Sequence, residues 1–242
     1  TSRRPSPRQG RSDREEAVCG GTMAVMIQVS ELHFSTEDGV KVLEDVHLRV
    51  EQGEMLYIAG PAASGKSLLL GLLGGQVPPQ RGQILVHGRN VGRLGPRRRL
   101  ELRRRIGYLP QGFAPLARTV HENVLFKLRS LGDFREQAEE KALLALEATG
   151  LIRQQGVQAV ELSSLDRVRL GLALAVCDDP LLLLIDEPLE GLDAGEAAEA
   201  CLLFDRLHTG HLTVVAATRG PLPDVSRGRR IVRLVDGMVS ES

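Results

Sequence analysis

The stretch "GPAASGKS", Gly60 to Ser67, has the residue types and spacing of a phosphate cradle. It fits the pattern G-x-x-x-x-G-K-S/T. It follows a short apolar run, "EMLYIAG", that reads as a buried strand, and it opens "KSLLLGLLGG", which reads as a helix. Small residues at Gly60, Pro61, Ala62, Ala63, Ser64 and Gly65 let successive backbone N–H groups converge on an anion, and the helix start adds its positive end. Lys66 is then placed to reach the β- and γ-phosphates of a nucleotide, and Ser67 to ligate Mg²⁺, with Leu68 completing the binding set. Ala63 stands where many such loops carry Gly. Alanine is small, and its presence is expected to be tolerated.

A second chemical signal is "LLLLIDEP", which puts Asp186 and Glu187 at the end of a buried apolar strand. Adjacent carboxylates in such a place are costly unless a cation or a proton accompanies them. Strand alternation is expected to send the two to different sides. Asp186 suits the shell of a bound Mg²⁺, and Glu187 suits a base polarising an attacking water. An acidic turn is the competing reading of the pair alone, and the upstream phosphate loop argues against it.

These side chains need a rigid frame. A chain of 242 residues is long enough for one sizeable core. With aromatics at only 3%, that core must be aliphatic. Strands and helices alternate through most of the sequence. "MIQVSELHF" and "VKVLEDVHLRV" have the period of antiparallel strands with one wet face, and "GQILVHGRNV" reads as a strand pair. "PLLLLIDEP" and "LTVVAATR" read as buried strands flanking the helix "EAAEACLLFDRLH", and "RRIVRLVDGMV" as a hairpin about Asp236-Gly237. The pattern predicts an α/β fold with a mostly parallel sheet. A helical stretch from about 113 to 172 interrupts it and is expected to form its own lobe. The N-terminal segment, residues 1–24, is rich in Arg, Ser, Pro and Gly and is expected to be a disordered tail, leaving 25–242 as the folded domain.

Lys and Arg total 31, matching 31 Asp and Glu, so no net charge favours nucleic acid, and the absence of Trp removes the best stacking side chain. Three scattered cysteines argue against a disulfide framework. No apolar run approaches the roughly 20 residues of a spanning helix, so a membrane role would need a partner.

Taken in order, the motifs resemble those of ATP-binding cassette (ABC) ATPases, over roughly residues 26–240. Gln111 in "IGYLPQGF" matches the family's Q-loop, which links Mg²⁺ and the attacking water to the membrane partner. "LEGLD", ending at Asp193, matches its D-loop, and Leu162–Pro180 aligns with its signature helix. "LRRRIGYLPQGF", "RTVHENVLFKLRSLG" and "RRIVRLVDGMV" are most similar to the FtsE-type cell-division ATPases and their LolD and MacB relatives. The resemblance implies a P-loop NTPase (RecA-like) core with an antiparallel β subdomain and an inserted α-helical subdomain. It implies Mg-ATP as ligand, with Ser67, Gln111 and Asp186 at the metal. Glu187, Gln111 and the residue at the switch position, Arg219, are the implied catalytic set. The implied partners are an integral membrane permease or FtsX-like protein and a second cassette, in a homo- or heterodimer. The implied location is peripheral, on the cytoplasmic face of the plasma (inner) membrane.

The chain departs from the family at three places. The signature LSGGQ or LSGGE becomes "LSSLD", Leu162 to Asp166, and Leu165 is expected to put a branched side chain where the second Gly gives room for the other subunit's phosphate. The switch histidine is Arg219, which stays charged and cannot accept a hydrogen bond. The adenine-stacking aromatic falls at Thr36, with His33 and Phe34 nearby. A lost transition-state contact costs about 10²-fold in rate, or about 2.7 kcal/mol. Binding with weak hydrolysis is the expectation, and a non-catalytic nucleotide-binding regulatory or scaffolding subunit is the alternative. A soluble DNA-repair or translation ABC protein fits less well, since no long coiled-coil segment is present. The Arg-rich run at 95–105 reads as a solvated helix face, with contact to anionic lipid or an acidic partner as the sharper reading.

Overall fold

The computed structural model describes residues 24–208, 211–223 and 229–241, so the N-terminal tail, save its last residue, lies outside the described residues. In chain order the strands and α-helices are β1 (Val25–Ser35), β2 (Lys41–Glu51), β3 (Met55–Ala59), α1 (Lys66–Leu73), β4 (Arg81–Val86), β5 (Arg89–Asn90), α2 (Pro96–Arg104), β6 (Ile106–Leu109), α3 (Val120–Leu131), α4 (Arg135–Ala148), α5 (Ser164–Val176), β7 (Leu182–Asp186), α6 (Ala194–Leu207), β8 (Thr213–Thr218), β9 (Arg230–Val235) and β10 (Met238–Glu241).

Two sheets carry the architecture. One is antiparallel, in the order β2-β1-β4-β5, and the other runs β10-β9-β3-β8-β7-β6. In the second sheet every pairing from β9 to β6 is parallel, and β10 returns antiparallel along β9. The parallel strands at its centre are continuous apolar runs because both faces are covered, and every residue of β7 and β8 is buried. Strand β2 instead alternates, burying Leu43, Val46, Leu48 and Val50 against the first core cluster. Asp236 and Gly237 turn β9 into β10 with φ of 49° and 76°, the positive pair that a two-residue hairpin requires.

Helices begin where the sequence supplies caps. Thr119 and Glu122 form a reciprocal capping box on α3, and Asp193 and Glu196 do so on α6. Asp193, the end of the "LEGLD" motif, is therefore the N-cap of α6. Helices α3, α4 and α5 enclose a separate apolar cluster that includes Val124, Leu128, Ala142, Leu146, Leu170 and Ala173. Helix α5 also packs the other way, placing Leu165, Leu172 and Ala175 in the cluster beneath β7 and β8. The Arg-rich run forms α2, which buries Leu102 and leaves Arg97, Arg98, Arg103 and Arg104 exposed.

The parallel order places the chemistry. Strand β3 lies between β8 and β9, and its C-terminal end leads into the Gly60–Ser67 loop and α1. Strand β7 lies on the far side of β8 and ends at Asp186. Both motifs therefore emerge at the same edge, where open parallel sheets hold ligands.

Candidate functional site

The loop is shaped by backbone crowding. A Cβ at Gly60 would stand 2.2 Å from the Leu234 carbonyl oxygen, and Gly65 has φ of 98° with Leu43 and Val42 packed against it. The side chains of β2 thus hold the loop from one side. Ala63 has φ of 59°. Its departure from Gly is a matter of conformation more than of size, since a left-handed residue with a Cβ costs about 1–2 kcal/mol. Pro61, Ala62 and Ala63 are exposed and Ser64 is buried. Leu68 turns its side chain onto the first core cluster. No side chain caps α1, so the N–H groups of its first turn face the loop. A helix start of this kind, with its positive dipole end, favours an anion.

Lys66 and Glu187 form a buried ion pair at 3.2 Å, their side chains 3% and 5% exposed. Lys66 Nζ also donates to the carbonyls of Gly60 at 2.9 Å and Pro61 at 2.7 Å. Ser67 Oγ donates to Asp186 Oδ1 at 3.0 Å. Burial raises the Asp186 carboxyl above its ordinary range, against the lowering effect of the Ser67 hydrogen bond. The neighbouring Tyr108 phenol is pushed up to about 12, first by burial and then by the Asp186 charge, and stays neutral.

Alternation does not separate the two carboxylates, which corrects the expectation above. Strand β7 stops at Asp186, and Glu187 follows with φ of 49°. The left-handed residue breaks the period of two and swings Glu187 onto Lys66, while Asp186 meets Ser67. Such strain persists only where the surrounding structure over-determines it, and it is concentrated at functional sites.

Arg219, just past β8, sits on the acids. Its Nε lies 3.3 Å from Glu187 Oε1, and its second contact is with Glu190 Oε1 at 3.1 Å. Lys66 and Arg219 both address the same oxygen of Glu187. Gln111 lies beyond β6 and donates to Glu190 Oε2 at 2.7 Å. Lys66, Ser67, Asp186 and Glu187 are thus in direct contact, and Gln111 reaches them only through Glu190 and Arg219. Sequence reasoning missed Glu190. Its one signal was an acid inside "LEGLD", a position read only as part of a motif.

Leu165 also differs from expectation. Its side chain is 7% exposed and packs into the core beneath β7. Ser163 caps α5 by accepting from the Asp166 N–H at 3.1 Å, and this fixes the helical phase that turns Leu165 inward. Ser164 and Arg167 face outward instead. They line a cleft of about 290 Å³ together with Asp186, Glu187 and Glu190. Thr36 closes its own turn, accepting from the Val40 N–H at 3.2 Å, and offers no aromatic face.

The donors present fit a hard cation. Ser67 and Asp186 offer oxygen only, and a buried carboxylate burdened by desolvation gains most from a divalent charge. Among the described residues no group of three or more His, Cys, Asp or Glu could hold a metal. Mg²⁺ is usually held by one or two protein oxygens plus phosphates and water. Among the described residues no helix is long and apolar enough to cross a membrane.

Known proteins resemble this chain in sequence and in fold. The sequence profile of the family described as "ABC transporter" matches residues 43–190. An ABC transporter ATP-binding protein of Thermotoga maritima is 34% identical over 216 residues, which cover 88% of this chain and 92% of that protein. The cell division ATP-binding protein FtsE of Bacillus subtilis is 26% identical over 215 residues, covering 88% of this chain and 94% of FtsE. Among solved structures, a dimeric post-hydrolysis ATP-binding cassette bound to ADP and Pi is similar, with a TM-score of 0.76 and 27% identity over 89% of this chain and 98% of that one. FtsE shares fewer identities than the Thermotoga protein, so the likeness is to the cassette as a class more than to the FtsE type.

Proposed function

The chain belongs to the ABC transporter family of ATP-binding cassettes, and from that premise we propose that it binds Mg-ATP at the start of α1 and couples nucleotide state to an integral membrane partner. The observation that carries this reading is the contact set of Lys66, Ser67, Asp186 and Glu187 at the shared edge of β3 and β7. The backbone of Gly60–Ser67 binds the phosphates, and Lys66 exchanges its carbonyl partners for phosphate oxygens. Ser67 and Asp186 would hold Mg²⁺ together with the phosphates, and the ion would supply positive charge against the charge that develops on phosphoryl transfer. Glu187 orients and polarises the attacking water.

In this reading the chain works as one half of a cassette dimer, peripheral to the cytoplasmic face of a membrane and paired with a permease or FtsX-like protein. A dimeric solved relative supports the dimer, and the family and the FtsE relative support a role in transport or in cell division. The ion pair of Arg219 with Glu187 favours a second reading, a regulatory subunit that binds ATP and hydrolyses it little. A carboxylate engaged by two cations is poorly placed to orient a water.

The test is equilibrium binding of a fluorescent ATP analogue with Mg²⁺. Binding is expected in the wild-type chain and lost in Lys66→Ala. Equal affinity in the two proteins would remove the reading. Turnover measured with and without the membrane partner then separates the hydrolysing subunit from the regulatory one.

A further inference from the structure

Resting on the reading of Glu187 as the base, we propose that Glu190 is a positioning residue whose carboxylate, set beside Arg219, draws that arginine off Glu187 and so sets the rate of turnover. Three connections bring the parts together. Glu190 lies between β7 and α6, Arg219 follows β8, and Gln111 follows β6. One oxygen of Glu190 accepts from Arg219 at 3.1 Å and the other accepts from Gln111 at 2.7 Å.

The arginine is therefore divided. Its Nε faces Glu187 and its Nη1 faces Glu190. A guanidinium binds a carboxylate best through two parallel N–H groups. With Gln111 donating to Oε2, the Glu190 carboxylate is turned so that Arg219 meets it at Oε1. When Gln111 moves away, Glu190 is free to turn and take the whole fork, and Arg219 leaves the base. When the Glu190 charge is removed, Arg219 has only Glu187 to pair with and holds it more firmly. Arg219 is 40% exposed, so it has room to swing, whereas Glu187 at 5% does not. Arg219 and Glu190 thus belong to one device. It links the position of Gln111 to the freedom of Glu187, although the two do not touch.

The experiment uses the full chain in four forms: wild type, Glu190→Gln, Arg219→Ala and the double variant. Affinity for Mg-ATP is measured with the fluorescent analogue, and kcat by single-turnover hydrolysis. Glu190→Gln is expected to lower kcat about tenfold with affinity kept within about twofold, because the loss falls on the chemical step. In the Arg219→Ala background the same substitution is expected to change kcat by less than about twofold, since the restraint is already gone. The proposal is overturned if Glu190→Gln leaves kcat unchanged, lowers it equally in both backgrounds, or lowers affinity in step with kcat. Mg-ATP binding without turnover in any of the four overturns it together with the hydrolysing reading, and leaves nucleotide binding standing. No binding in any of the four overturns the proposed function as a whole.

Discussion

Ser67 and Asp186, 119 residues apart in sequence, meet through a 3.0 Å hydrogen bond between hydroxyl and carboxylate. The contact joins the first turn of α1 to the end of β7 and brings two hard oxygens to one point. It also leaves Asp186 deep in the protein, where burial raises its carboxyl above the ordinary value of 3.8.

The raised value has a sign that can be tested. The fold favours protonated Asp186, and that contribution is complete below pH about 3.8 and is lost as pH rises through the folded value. At neutral pH the nucleotide-free fold therefore bears the cost of the charge. Asp186→Asn is expected to raise its melting temperature at neutral pH. The gain should shrink as pH falls toward 4, where the wild-type carboxyl takes up its proton. The same variant should lose the thermal stabilisation that Mg-ATP gives the wild type, as should the wild type with excess chelator. Thermal unfolding across pH, with and without Mg-ATP, reads both effects. A less stable Asn variant, or one that keeps the full Mg-ATP shift, contradicts this account.

Leu165 invites an opposite outcome to the one its sequence position suggests. Replacing it with Gly restores a family residue, yet the side chain is buried beneath β7. Leu165→Gly is expected to cost about 3–5 kcal/mol from the cavity and about 1 more from a glycine in the helix. No gain in ATP turnover should accompany it. Urea unfolding gives the first quantity and a phosphate-release assay the second. Increased turnover without loss of stability would show that Leu165 obstructs the site after all.

Ala63 is left-handed, and Ala63→Gly removes the clash of its Cβ. Relief of about 1–2 kcal/mol is partly offset by about 0.5–1 kcal/mol of extra chain entropy in the unfolded state. A net stabilisation of roughly 0.5–1 kcal/mol is expected, with Mg-ATP affinity maintained. A drop in stability on Ala63→Gly would refute the strained conformation.

The sequence by itself determined the elements and the chemistry each could offer. "GPAASGKS" is legible because a phosphate loop needs small residues, a lysine and a hydroxyl at fixed local spacing, and all of these sit within one turn of chain and one helix start. The buried strands are legible because strands covered on both faces must be apolar throughout. Capping boxes such as Thr119 with Glu122 are local as well. Only the tertiary structure decided where side chains point and which distant residues share a charge. Leu165 faces inward because Ser163 sets the phase of α5, and Glu187 meets Lys66 because its left-handed backbone breaks the strand period. The Arg219–Glu190–Gln111 contacts depend on β8, β7 and β6 lying side by side. Strand order is set by long-range packing and by crossover connections, and local residue pattern carries no record of it. That is why an acid within "LEGLD" drew no notice in one dimension and stands between an arginine and a glutamine in three.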